Sequence, residues 1–267
     1  MSQSQASVGG PERVESGRGL RLPSATRLAG VAAIFAAIQV MYHTVSGVPL
    51  DAEFVILAAL GGGLSACVVG HLVVNLGVGR RTGFGIIWLA LFVVQLFAGL
   101  IEGAFFTTAI SSASVFLGGT IVSLLITAAE AGAAIALFPL PPASRRLRDL
   151  LRDYRWGVGS RAWRLTVGGL AYFPIYFLFG GLVSPYAIPY YTDPSDGLGL
   201  VIPSFSVMIP VELLRGFMFV ACIVPILAAW RLNRWSAFLF SAAFLHLGRL
   251  RPLRRRDDFT LVPEGSA

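Results

Sequence analysis

The stretch FGIIWLALFVVQLFAGLIEGAFFTT, residues 84–108, decides the fold class, because Glu102 is its single ionisable side chain. An α-helix rises about 1.5 Å per residue, so about 20 apolar residues cross the roughly 30 Å of hydrocarbon in a bilayer. The stretch is long enough and apolar enough to do so. It is therefore predicted to be a transmembrane helix.

Five other stretches meet the same requirement, and they cover residues 28–48, 54–76, 113–138, 165–185 and 208–230. The run 235–248 would reach only about 21 Å as a helix, which is too short to span comfortably. With 55% hydrophobic and 13% charged residues, the chain needs lipid to cover its apolar surface. The sequence predicts an all-α fold, a polytopic transmembrane helix bundle with six spans plus a short seventh hydrophobic segment.

Arginine placement predicts the domain organisation and the orientation. All 21 positive charges are Arg, and all but Arg215 lie in the N-terminal tail, in alternate gaps between spans and in the C-terminal tail. The positive-inside rule then places the N-terminus and the 139–164 loop in the cytoplasm. We expect a disordered tail over 1–24, a membrane domain over 25–248 and a basic tail over 249–267. The Arg-rich composition is typical of a high-GC genome and favours the cytoplasmic membrane of a bacterium.

The C-terminal region leaves alternatives open. A seventh full crossing would place five arginines of the C-terminal tail outside. The run 235–248 would therefore dip into the membrane and return, or lie buried among other helices, or belong to a truncated or altered chain. The net charge of +7 does not indicate nucleic-acid binding, because the basic residues flank hydrophobic segments and form no basic stripe with interleaved aromatic residues.

The loop after the fourth span carries an amphipathic pattern over residues 144–156. One face has Leu and Tyr at helical spacing, and the rest is rich in arginine. Such a helix suits the headgroup region of a membrane, and a solvated connector is the alternative. The residues expected to contact anionic lipid headgroups are Arg145, Arg146, Arg148, Arg152 and Arg155.

Ionisable groups inside the spans are the best indication of function, because a charge at mid-bilayer costs about 2.5–3.5 kcal/mol even on insertion scales. Glu212 and Arg215 are three residues apart and predict a local ion pair. Glu102 and Glu130 have no such neighbour and must pair across helices, meet water or stay protonated. The candidate polar site consists of His71, Asn75, Glu102, Glu130, Glu212 and Arg215. Counting along the spans predicts two clusters, with His71, Asn75 and Glu130 in the inner half.

No cofactor or metal site is predicted. Cys67 and Cys222 lie inside apolar runs without CxxC or Cys/His spacing, so they indicate neither a disulfide framework nor a zinc site. His71 and Asn75 share a helix face, but one imidazole and one amide are too few ligands for a metal.

The run 212–217, ELLRGF, followed by Phe244-Leu245-His246, resembles the CAAX-protease and bacteriocin-processing membrane family. That resemblance implies an intramembrane hydrolase using Glu212 with His246 or His71. Val211 and Ala242 stand where that family's pattern has Glu and Phe. The order of features also resembles uncharacterised multi-pass bacterial membrane proteins. We expect a non-enzymatic membrane protein, with small-solute or proton-coupled transport or a scaffold role, and keep the hydrolase as the alternative.

Overall fold

A computed structural model of the chain describes residues 22–45, 50–108, 110, 112–140, 148, 149, 152, 158–192, 199–230 and 235. Within these residues the fold is all-α, and six helical segments are long and apolar enough to cross a membrane. The predicted fold class, a polytopic helix bundle with six spans, is confirmed. The chain is a multi-pass membrane protein.

The helices begin and end close to the predicted span limits. The third span consists of two α-helices joined by a π-helical turn over Phe92–Phe97. The helices are α1 (Ala25–Val45), α2 (Ala52–Asn75), α3 (Arg80–Leu91), α4 (Ala98–Phe106), α5 (Ala113–Leu137), α6 (Val158–Thr192) and α7 (Phe205–Ala229).

Backbone hydrogen bonds at both ends of the bundle fix how the spans align. Gly77, after α2, donates its N–H to the carbonyl of Ala229 at the end of α7, 2.8 Å away. At the opposite end, Val201, before α7, donates to the carbonyl of Phe106, the last residue of α4, also at 2.8 Å. The end with Gly77 and Ala229 is called the arginine-rich end. Helices α1, α3 and α6 begin there, whereas α2, α5 and α7 begin at the opposite end, where α4 ends.

The core lies among α1, α2, α3, α5 and the second half of α7. Phe35, Leu76, Ile87 and Leu91 are among its largest fully buried side chains. By contrast, α6 packs mainly on α7 and leaves most of its apolar surface open. In a membrane protein this surface faces lipid rather than water.

Glycines set the closest helix contacts. A Cβ on Gly62 would lie 2.9 Å from the carbonyl oxygen of Ala32, so α1 and α2 touch backbone to backbone. A Cβ on Gly216 would lie 2.8 Å from the Cβ of Tyr172 and would also overlap the carbonyl of Gly169. Small residues therefore bring α6 and α7 into direct contact, as they do at helix crossings in lipid.

Helix α6 is longer than the predicted span 165–185. It continues past Pro185, the last residue of the predicted span, and through Pro189. Pro185 has no N–H for the carbonyl of Gly181, and the hydroxyl of Ser184 donates to that carbonyl instead, at 2.8 Å. This substitution of one donor for another lets the helix continue past a proline.

Several predictions fall on residues outside the described ranges. These are the N-terminal tail up to residue 21, the short run 235–248 apart from Trp235, the basic C-terminal tail, and most of the amphipathic segment 144–156. Of the arginines expected to meet headgroups, Arg148 and Arg152 are described and exposed; Arg145, Arg146 and Arg155 are not described.

Candidate polar site in the membrane-spanning bundle

Three of the predicted site residues meet in one cluster, the Glu102 triad, which consists of Glu102, Glu212 and Arg215. The Nη1 of Arg215 donates to both carboxylate oxygens of Glu212, at 2.9 and 3.0 Å. Its Nη2 donates to Oε2 of Glu102 at 2.9 Å. One guanidinium thus bridges two carboxylates and joins the third span to the sixth.

The two carboxylates of the triad differ in exposure. The side chain of Glu212 is 0% exposed and that of Arg215 is 6% exposed, whereas the Glu102 side chain is 41% exposed. A buried ion needs a partner because its desolvation is costly, and Glu212 and Arg215 meet that need in each other. Glu102 is therefore the most exposed member of the triad.

The backbone that carries the triad is irregular on both sides. A π-helical turn holds about one residue more than an α-turn, and one extra residue rotates the following helix by about 100°. The turn Phe92–Phe97 ends five residues before Glu102, so it determines which face of α4 carries this carboxylate. In α7, Pro210 lies inside the helix two residues before Glu212 and leaves the carbonyl of Ser206 without its helical donor.

Tyrosines of α6 cover the arginine. The guanidinium carbon of Arg215 lies 5.9 Å from the ring centroid of Tyr172 and 5.5 Å from that of Tyr176. Both distances are within the range of cation–π attraction, which strengthens in a desolvated site. Contact between α6 and α7 thus gives Arg215 aromatic neighbours in addition to its two carboxylates.

Tyr191 also belongs to the surroundings of Glu102. It lies beyond the apolar segment Ala162–Tyr186, near the end of α6. Burial raises the pKa of the Tyr191 phenol, and the nearby Glu102 carboxylate raises this pKa further. Three tyrosines of one helix, Tyr172, Tyr176 and Tyr191, therefore border the triad.

His71 and Asn75 lie in the last turns of α2, toward the arginine-rich end. The side-chain amide of Asn75 donates to the backbone carbonyl of His71 at 2.8 Å, and both residues are buried. The ring of Trp230 lies 6.3 Å from that of His71, centroid to centroid. This corner helps to hold the end of α2 against the end of α7.

Glu130 is 1% exposed and lies on a buried polar face of α5 with Ser123 and Thr127. The hydroxyl of Thr127 donates to the carbonyl of Ser123 at 2.7 Å. At 1.5 Å per residue, Glu130 lies about 10 Å from the end of α5 at Leu137, whereas Glu102 lies about 6 Å from the opposite end of the bundle. Glu130 therefore lies in the half of the bundle toward the arginine-rich end, as His71 does, whereas Glu102 lies in the opposite half.

The described residues contain no group of three or more His, Cys, Asp or Glu side chains that could hold a metal ion. His246, one of the two histidines that the hydrolase alternative could use, lies outside the described ranges. The triad itself is an ion-pair cluster.

Sequence reasoning missed part of this site. The tyrosines Tyr172 and Tyr176 lie in an apolar span, four residues apart on one face, and this spacing was the available signal. The π-helical turn has no marker in the sequence. The pairing of Glu102 with Arg215 joins residues 113 positions apart, and no periodicity identifies which helices are neighbours.

Comparison with known proteins found no match to a protein family, to a characterised protein or to a solved structure.

Proposed function

We propose that this membrane protein is a proton-coupled transporter of small solutes, and that Glu102 is its proton-exchanging group. The observation that carries the proposal is the charge of the triad. Arginine stays protonated in proteins, so two ionised carboxylates around Arg215 leave one negative charge in excess. A proton or a cationic solute is the simplest species to neutralise it.

Glu102 is the better of the two carboxylates for this role. It makes one hydrogen bond with Arg215, whereas both oxygens of Glu212 accept from the same guanidinium. Its side chain is also 41% exposed, against 0% for Glu212. Protonating Glu102 therefore disrupts less structure than protonating Glu212.

A change of charge at Glu102 has a mechanical consequence. Its ion pair with Arg215 connects α4 to α7, and protonation weakens this attraction. The π-helical turn before Glu102 and Pro210 before Glu212 are positions where helices can bend. Proton binding then shifts the balance between two arrangements of the third and sixth spans, which is what coupling to transport requires.

The test is proton movement into liposomes that contain the purified chain and a trapped pH dye. Amino acids, sugars and small amines are added one class at a time under an imposed potential. We expect at least one class to drive proton uptake, and the variant E102Q to abolish that uptake.

The matched control is E53Q, which removes an exposed carboxylate at the same end of the bundle, in the first turn of α2. It should retain full uptake. Equal uptake in E102Q and E53Q, or no uptake with any solute class, would contradict the proposal.

The hydrolase alternative pairs Glu212 with His246 or His71. His246 lies outside the described residues, and His71 lies in the last turns of α2, toward the end of the bundle opposite to the Glu102 triad. A scaffold role would not explain why the triad has one negative charge in excess. If E102Q folds and inserts normally and has no effect on any flux, the scaffold role becomes the better account.

A further inference from the structure

A second charged region lies at the arginine-rich end, far from the triad. A cavity of about 430 Å³ opens between α1, α3 and the end of α5, and Arg27 and Arg80 line it. A second cavity of about 560 Å³ adjoins it, sharing Arg27 and Pro139. Volumes of this size are typical of small-molecule sites.

We call this region the arginine cavity, after Arg27 and Arg80. Its charge is positive and is not neutralised within the described part of the chain. Both arginines are exposed, and neither forms an ion pair with a described carboxylate. Arg80 is also the first residue of α3, whose cap residue Gly79 has no side chain to accept from the first-turn amides. Those amides add a partial positive charge on the same side.

The remaining wall is apolar and consists largely of the last turn of α5 and the residues that follow it, including Leu137, Phe138 and Pro139. Leu137 is exposed at the end of a membrane-spanning helix, where headgroups meet acyl chains. A ligand here would place an anionic group between the arginines and an apolar part against α5. A free inorganic anion has no apolar part that could pack against that wall.

We propose that the arginine cavity binds the phosphate of an anionic phospholipid, with the two guanidinium groups on the phosphate and the glycerol and upper acyl chains against α5. Basic pockets between transmembrane helices bind lipid headgroups in this way. The site is independent of the proposed transport activity.

The test uses the full chain, purified in detergent and exposed to phosphatidylglycerol or phosphatidylcholine, with retained lipid counted by native mass spectrometry. Each arginine near a membrane surface contributes about 1 kcal/mol, which is about fivefold in affinity. We expect R27Q and R80Q each to weaken phosphatidylglycerol retention about fivefold and the double variant about 25-fold. Retention of phosphatidylcholine should stay low throughout.

The controls are R81Q and R164Q, which remove the same charge at the same end from exposed residues that do not line the cavity. Both should weaken retention clearly less than R27Q or R80Q does, because neither residue lines the cavity. R27K/R80K keeps the charge and should recover most of the retention, which separates a binding defect from misfolding.

Three results would overturn the proposal. An equal loss in R81Q and R80Q would mean that only diffuse surface charge attracts the lipid. Equal retention of phosphatidylcholine would remove the requirement for an anionic lipid. Displacement of phosphatidylglycerol by inorganic phosphate at the same concentration would assign the cavity to a soluble anion instead.

Discussion

The arginines at the two ends of the bundle differ in burial and in ion pairing. Toward one end, Arg215 is buried and donates to two carboxylates. At the arginine-rich end, Arg27 and Arg80 are exposed around a cavity and pair with no described carboxylate. Burial explains the difference, because a desolvated cation needs a partner from its own chain, whereas an exposed one can take its partner from water or lipid.

The largest loss of stability is expected when Arg215 is replaced. The variant R215Q leaves the fully buried carboxylate of Glu212 without its cation, which costs about 3–5 kcal/mol of unfolding free energy. R80Q, at the exposed site, should change stability by no more than about 0.5 kcal/mol. Denaturant unfolding of both variants in the same detergent measures the difference.

A rescue variant makes that result specific. In E212Q/R215Q neither partner is left charged, so part of the stability lost in R215Q should return. Equal stability of R215Q and R80Q, or no recovery in the double variant, would mean that burial does not distinguish the two ends.

A smaller effect is expected where α6 meets α7. In G216A the new methyl group collides with Tyr172 and with the backbone at Gly169, which should cost about 1–3 kcal/mol. Because Tyr172 and Arg215 lie on these two helices, the collision also moves the aromatic cover away from the triad. G180A is the control, since a Cβ at Gly180 meets nothing within 4 Å. A G216A protein as stable as G180A would contradict the close crossing.

The smallest effect concerns Tyr191. Its raised pKa means that the native state keeps the neutral phenol to higher pH than the unfolded state, whose value is about 10. This contribution to stability is complete below pH of about 10 and is lost as pH rises through the native pKa. E102Q removes the carboxylate that adds to the shift, so the phenol should ionise at lower pH.

The phenolate absorbance of each protein, after subtraction of its Y191F counterpart, measures this titration. In E102Q the Tyr191 phenol should ionise at a lower pH than in the unmodified protein. It should still ionise at a higher pH than a free phenol, because burial remains. Superimposable curves would place Glu102 too far from Tyr191 to act on it.

Much of the fold could be predicted from the sequence, because a membrane span needs length and hydropathy alone. All six spans follow from this, with ends shifted by a few residues except in α6. Its extension past Pro185 depends on one hydroxyl, that of Ser184, replacing a missing donor. Composition cannot indicate such a local exchange.

The site was less predictable because it depends on which helices are neighbours. The Glu212 and Arg215 pair follows from a spacing of three residues on one helix. The contact between Glu102 and Arg215 needs a specific rotation of α4, set by the π-helical turn, and a specific position of the third span beside the sixth. Neither property is encoded in residue spacing.

Proton exchange at Glu102 can be observed by an infrared pH titration of the chain in liposomes, comparing the unmodified protein with E102Q. We expect their difference to contain a carboxylate that becomes a carboxylic acid as pH falls, together with a change in the guanidinium bands as Arg215 loses one of its two acceptors. Identical titrations in the two proteins, or a carboxyl signal without any guanidinium change, would contradict the assignment of Glu102 as the proton-exchanging group.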